Sequence, residues 1–414
     1  MGLCSSKKEP DAAPAGSGGP SGSTGEPMRR MSYSAPETAA EGVKLPFPDN
    51  KIGLNSNHGI KPAGPFNGAT AKINQDRGLI SYPLCNNAHQ MLLAVYDGHG
   101  LHGELVSEFA SFTYVDLLEA DAEALKADPV ECMKRNMIKC DDLIRKKKNV
   151  PSQESGSTAI VALMTDTQII TACVGDSRCV KGTDEGGDKW TTTDLSEDQK
   201  PDDPKEKARI ESCGGYVSRA SEAYGPARVW RGGFGIGPGL AMSRSLGDHG
   251  VAEVGVTAEP EMVVNTITAN DKVVILASDG VWEFITSEEA VAMCQSKHPN
   301  ASAATKLLIR ESNARWKAAE GNYRDDITAI VVFLPIFEGS MEEQGKAVAA
   351  KGEKHTFVHD ADDADVDKQH TATDAEEIKL TTATEEPKEG EGSPAPFIKR
   401  RLSMASGMTQ EGPE

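Results

Sequence analysis

Five short stretches of this chain put acids beside apolar, strand-forming runs, and one adds a histidine. LLAVYDGHG delivers Asp97, Gly98 and His99 after four apolar residues, and KVVILAS runs into Asp279-Gly280 with Glu283 a helical turn later. TQIITACV ends in Gly175-Asp176, Asp325-Asp326 precede ITAIVVFL, and AKINQDRG places Asp76 at the end of a short segment. The glycines after Asp97 make a sharp bend inexpensive at that point. Any single acid of this kind could simply cap its own turn. Strand tips along one sheet edge, however, are rigid and can converge on one place.

Carboxylates gathered within a few ångströms repel one another and take up protons unless cations neutralise them. A ligand set of oxygens, without thiolates or clustered histidines, suits Mg²⁺ or Mn²⁺. Two such ions can hold a shared water as hydroxide and clamp the oxygens of a phosphoryl group in transfer. Beside them His99 has a chemical task, protonating the departing alkoxide, because imidazole titrates near neutral pH. The competing reading of His99 is a hydrogen-bonded structural residue at a turn.

The positioning elements follow from periodicity. STAIVALMT, TQIITACV, KVVILAS and ITAIVVFL read as strands, whereas EFASFTYVDLLEADAEALKA, PVECMKRNMIKCDDLIRKKK, SEEAVAMCQSK and ASAATKLLIRESNARWKAAE space their apolar residues as helices. DPKEKARIESCGG is a further helix, stopped by Gly214 and Gly215. Helices in pairs among many strands predict layered α and β rather than strict βαβ alternation. Residues 45–337 carry these elements; 1–44 are Pro/Gly/Ser/Ala-rich and 338–414 acidic, so both flanks are expected to be disordered tails. The acidic run Asp360–Asp367 fails the EF-hand pattern, since Asp365 stands where glycine is needed.

Whole-chain properties exclude other classes. Of 414 residues 38% are hydrophobic, which fits one sizeable core with polar flanks. A formal charge of −19 argues against nucleic-acid binding, which needs a basic face. No apolar run reaches the length of a membrane span, and the eight cysteines form no CxxC pair or framework, as in a reducing compartment. MGLCSS nevertheless fits the myristoylation pattern on Gly2, with Cys4 a palmitoylation candidate and Lys7 and Lys8 adding attraction to anionic lipid.

In order, KINQDRG, VYDGHG, SGSTAIVAL, ACVGDSR, DQKPDDPKEKARIESCGG, GLAMSRSLGD, VTAEPE, LASDGVWE and YRDDITAIVV resemble the motifs of PP2C-type (PPM-family) metal-dependent serine/threonine protein phosphatases. The resemblance implies an α+β fold, a four-layer α-β-β-α sandwich with two antiparallel sheets between helical layers. It also implies hydrolysis of phosphoserine and phosphothreonine in phosphoprotein substrates by a metal-bound hydroxide. Position by position, it makes Asp97 the bridge between two metals and the Gly98 carbonyl a ligand of one, with Asp279 and Asp325 on the other. Asp176, Asp279 and Glu283 resemble a weaker third-metal site, His99 the general acid, and residues 198–215 a mobile flap. Two positions depart: Gln75 replaces a carboxylate that animal members place before Asp76, and Ala71 stands where those members have a phosphate-gripping arginine. Lys72, beside it, lacks arginine's bidentate geometry.

Three rival readings remain on the page. CGGYVSR, from Cys213 to Arg219, fits the C-x5-R spacing of cysteine phosphatases, but Cys213 is placed at a helix end rather than in a phosphate-cradling loop. RGGFGIGPG lacks the preceding strand and the Lys-Ser/Thr of a P-loop. A catalytically weak or dead scaffold that binds phosphoproteins at a membrane has Gln75 as its support. The expected state is a monomer, lipid-anchored on the cytoplasmic face of a membrane with a cytosolic pool. Ser32 and Ser403, each in an Arg-Arg-x-Ser sequence, are expected phosphorylation sites.

Overall fold

The computed structural model describes residues 47–359, apart from 49, 64–67, 222–224, 234, 236–238 and 351–354. Gly2, Cys4, Ser32 and Ser403, the 1–44 segment and the acidic run beyond residue 360 lie outside the described residues. Two antiparallel sheets form the frame. One runs in the order Ile52–Asn57, Ile327–Phe333, Asp271–Ala277, Arg178–Thr183 and Thr191–Asp194. The other is built around Gln90–Gly100, with Ala159–Thr165, Gln168–Val174 and Glu261–Thr266 to one side and Asp76–Tyr82 to the other.

Strand alternation explains the layers. On the central strand Leu92, Ala94 and Tyr96 enter one core with Val106, Ala110 and Tyr114 of the helix Gly103–Ala120 and Met133 and Met137 of Pro129–Lys146. Their neighbours Met91, Leu93 and Val95 point the other way, into a core between the sheets shared with Val274, Leu276, Ile330 and Val332. Val273, Ile275, Ala329 and Val331 face a third core under the helices Ser287–Lys297 and Ala301–Glu320. Each of these central strands is apolar on both faces because both faces are covered, so it reads as a continuous apolar run. The result is the expected α-β-β-α sandwich.

Three details differ from the sequence expectations. Asp76 opens the strand Asp76–Tyr82 rather than closing a segment. The long helix expected after residue 107 is broken at Asp121 (φ −107°, ψ 25°) into Gly103–Ala120 and Ala122–Ala127. The Asp121 carboxylate accepts from Arg135 at 2.8 Å and Asn136 at 3.0 Å on the following helix, which pins the break.

The third correction concerns the boundary at Phe337, which falls too early. A helix, Ser340–Ala350, follows, and the strand His355–His359 pairs along the open side of Asp76–Tyr82. An uncovered edge strand invites wrong pairing, and this segment closes it. Met341 is fully buried in the inter-sheet core, and its carbonyl accepts the Tyr82 hydroxyl at 2.7 Å. Acidic composition concealed these few apolar anchors. Met341→Ala is expected to cost about 2–5 kcal/mol in chemical denaturation, as for other buried Met-to-Ala changes; a loss under about 0.5 kcal/mol, the scale of an exposed position, would show the segment to be undocked.

Candidate active site

The central strand does not stop at Asp97. It continues through Gly100 beside one antiparallel partner in unbroken register, Ala159–Thr165 along residues 90–95 and Ser155–Ser157 along residues 98–100. Between these two stretches Thr158 clamps Asp97: its hydroxyl accepts the Asp97 N–H at 2.9 Å and its own N–H donates to the Asp97 carbonyl at 2.9 Å. The following residue must be glycine, because a Cβ at Gly98 would lie 2.4 Å from the Gln75 carbonyl oxygen and 2.5 Å from that of Gly103. The DGHG sequence therefore marks a close approach of backbones, not the turn its glycines suggested.

On the other side of this strand Asp97 is in register with Asp76. Asp76 is fully buried, and its Oδ2 accepts the Ser278 hydroxyl at 2.8 Å. The same Ser278 oxygen accepts the Thr328 N–H at 3.0 Å. One hydroxyl thus ties Asp76, on one sheet, to the residue before Asp279 and to the strand that follows Asp325, on the other. Asp326 holds the approach to Asp76: its carboxylate accepts the backbone N–H groups of Gly59 and, at 3.0 Å, of Gln75.

The acids sense one another. Burial raises Asp97 well above the usual carboxylate range, and the charges of Asp76, Asp279, Asp325 and Asp176 raise it further. Asp76 is likewise raised, first by burial and then by Asp326, against the opposing hydrogen bond from Ser278. Burial pushes Asp326 up to about 6, with Lys72 opposing and Asp325 adding to the shift. Burial alone would lower the Lys72 ammonium; Asp325 and Asp326 overcome it and hold Lys72 above the ordinary lysine value. Lys72 Nζ lies 2.6 Å from Asp325 Oδ1 and 3.9 Å from Asp326 Oδ2. Lys200 makes the equivalent ion pair with Asp176.

The structure therefore brings Asp76, Asp97, Asp176, Asp279 and Asp325 within one electrostatic neighbourhood. Glu283 follows the short helix Asp279–Trp282, its N–H donating to the Asp279 carbonyl at 2.8 Å, so it stays one turn from Asp279. Among the described residues no three His, Cys, Asp or Glu side chains stand as a closed ligand set. The acids instead rest on Lys72, Lys200 and Ser278. Asp76 Oδ1 is buried without a hydrogen bond. An all-oxygen cluster with a buried, unsatisfied carboxylate oxygen fits a hard divalent cation.

Gln75 does not lie idle. Its amide nitrogen donates to the Gly100 carbonyl and to Glu104 Oε2, both at 3.0 Å, bracing the loop after His99. Ala71 is exposed, and the nearby cation is Lys72 on Asp325. Cys213 is an exposed free thiol capping the C-terminal end of the helix Pro204–Ser212, which leaves it without a phosphate-cradling helix start. That helix occupies the stretch expected as a flap, and its Glu206 is held by Arg244 at 2.8 Å and Arg209 at 2.6 Å. Much of RGGFGIGPG lies outside the described residues. Sequence reasoning missed Ser278, Lys200 and Asp248 as partners of the site, although each sits inside a quoted motif; the pairing that recruits them is tertiary.

The comparisons with known proteins agree with this geometry. The family model "Protein phosphatase 2C" matches residues 67–318. The chain is 32% identical over 275 residues to "Probable protein phosphatase 2C 72" of Arabidopsis thaliana, covering 64% of this chain and 82% of the relative. It is 32% identical over 285 residues to "Probable protein phosphatase 2C 48" of Oryza sativa subsp. japonica, covering 63% and 80%. Among solved structures it shares its fold with serine-threonine phosphatase 2C from Toxoplasma gondii, at a TM-score of 0.55 and 22% identity over 68% of this chain and 94% of that one. The family match, the sandwich fold and the clustered acids lead to one conclusion: the chain belongs to the protein phosphatase 2C family of metal-dependent protein serine/threonine phosphatases.

Proposed function

We propose that this chain hydrolyses phosphoserine and phosphothreonine in proteins at a site for two Mg²⁺ or Mn²⁺ ions, with a weaker third ion beside them. The observation that carries the reading is the register that sets Asp97 opposite Asp76, with Ser278, the neighbour of Asp279, hydrogen-bonded to Asp76 across the two sheets. Asp97, the Gly98 carbonyl, Asp279 and Asp325 would hold the pair of ions, with Asp76 buried behind them. Asp176, Asp279 and Glu283 would hold the third. Bound ions supply neutralisation of the carboxylates and activation of water for attack at phosphorus.

The chain's own residues do the rest. Thr158 and the strand register fix Asp97; Ser278 fixes Asp76 against the second sheet; His99 gives its proton to the leaving serine or threonine oxygen. In-line attack by water needs no covalent enzyme intermediate. The scaffold reading rests on Gln75 alone, and Gln75 has a bracing role that is compatible with catalysis.

Location and control belong to the same proposal. Gly2 and Cys4 would carry a myristoyl and a palmitoyl chain, two signals where one is marginal. The enzyme would then work on the cytoplasmic face of a membrane, as a monomer, with a cytosolic pool. No described helix is long and apolar enough to cross a membrane. Phosphate on Ser32 would weaken the pull of Lys7 and Lys8 on anionic lipid, and Ser403 offers the same chemistry at the other end.

Four measurements test these statements. Asp97→Asn and Asp279→Asn are each expected to lower kcat/KM on a phosphoserine peptide by about 1,000-fold, roughly 4 kcal/mol of transition-state stabilisation. Excess EDTA should abolish hydrolysis and Mn²⁺ restore it; full activity in EDTA would sink the metal assignment. Because Lys72 occupies Asp325, Lys72→Met should tighten Mn²⁺ binding by about tenfold in calorimetry; unchanged or weaker binding would contradict the competition. Gly2→Ala should move the protein from membrane to soluble fractions, and unchanged partitioning would rule out the lipid anchor.

A further inference from the structure

A carboxylate outside the proposed ligand set faces the imidazole. Asp248 Oδ2 lies 2.5 Å from His99 Nε2, linking residues 149 positions apart. Asp248 is 6% exposed, and its φ of +45° is a left-handed conformation uncommon for a residue with a side chain. The pair is pressed onto bare backbone. A Cβ at Gly156 would stand 2.1 Å from Asp248 Oδ2 and 2.7 Å from His99 Nε2.

Such a conformation persists only where its surroundings over-determine it. Here they do. Asp248 N–H donates to the Ser155 carbonyl at 3.0 Å, and the N–H groups of Gly247 and His249 donate to Asp141 Oδ1 at 2.7 Å and to the Ser152 carbonyl at 2.8 Å. The His249 side chain is completely buried, with Nδ1 2.8 Å from the Ser152 hydroxyl and Nε2 3.0 Å from Asp141 Oδ1. Asp141 belongs to the helix Pro129–Lys146. Asp141, His249 and Ser152 thus fix the backbone on both sides of Asp248.

We propose that Asp248 is a positioning residue for His99, fixing the imidazole through Nε2 and holding its proton until the leaving oxygen takes it, and that Asp141, His249 and Ser152 brace it. The inference rests on the phosphatase reading above. In the step concerned, phosphorus gains the oxygen of water as its bond to the serine or threonine oxygen breaks. The electron pair of that bond takes the Nε2 proton, and the ring is left neutral. A free alkoxide is a far stronger base than a carboxylate, so the proton leaves Asp248's hydrogen bond only when the alkoxide forms. A substrate whose leaving group is a stable anion has no need of that proton.

The leaving group therefore separates positioning from mere structure. Asp248→Asn keeps the shape and tolerates left-handed backbone; Asp248→Ala removes the acceptor. Both full-length variants, with Mn²⁺, would be compared on a phosphoserine peptide and on p-nitrophenyl phosphate, with thermal unfolding as the control for folding. On the peptide, kcat should fall by about 100-fold for Ala and about tenfold for Asn, within the usual contribution of general acid catalysis. On p-nitrophenyl phosphate it should change by less than about threefold, the leaving group being self-sufficient. His99→Ala should show the same selectivity, and the double variant should be no worse than His99→Ala alone. Equal losses on both substrates for Asp248 variants, or losses that multiply with His99→Ala, would overturn the positioning role while leaving the acid in place. Equal losses for His99→Ala would overturn the acid role and this inference with it.

Discussion

Like charges buried side by side are the constraint on which this structure turns. Removing carboxylates from water is costly, and placing several within mutual range adds repulsion to the cost of desolvation. Without ions the chain limits both by resting Asp325 on Lys72, Asp176 on Lys200 and Asp76 on the Ser278 hydroxyl. Two ammonium groups do not discharge a cluster whose members still raise one another toward protonation. In the proposed function that remaining demand for positive charge is what divalent cations would meet. A set of rigid strands is needed because flexible side chains would separate to relieve the repulsion.

The two sheets meet this need in a specific way. The core between them is apolar along Met91, Leu93, Val95, Val274, Leu276, Ile330 and Val332, and polar groups gather where these strands reach one edge. Ser278 spans the join with two hydrogen bonds. At the same edge the register of the central strand places Asp97 opposite Asp76, and His99 two residues on meets Asp248. Asp97 of the acid cluster and His99 thus sit two residues apart on one strand, with a glycine between them that admits two other backbones.

Much of this was legible in the amino-acid order. Helices with strong caps, such as Ser287–Lys297 behind the Thr286–Glu289 capping box, are where periodicity placed them. Strands buried on both faces, such as Ile327–Phe333, announced themselves as apolar runs. The acids were legible because each interrupts or borders such a run. Features set by tertiary contact were hidden. Gly98 read as a turn residue because nothing local shows the Gln75 and Gly103 carbonyls that exclude a side chain there. Lys200 and Ser278 are unremarkable in their own segments and gain meaning only across the fold. The helix and strand beyond Phe337 were hidden by surrounding charge, since Met341, Val348 and one edge pairing leave little trace in composition.

Anomalous diffraction from crystals of the full chain soaked in Mn²⁺ tests the central claim most directly. The account predicts two neighbouring Mn²⁺ peaks among Asp97, Gly98, Asp279 and Asp325, with the Lys72 ammonium displaced from Asp325. Ordered density that shows these carboxylates free of metal at saturating Mn²⁺, with Lys72 still in place on Asp325, would contradict it.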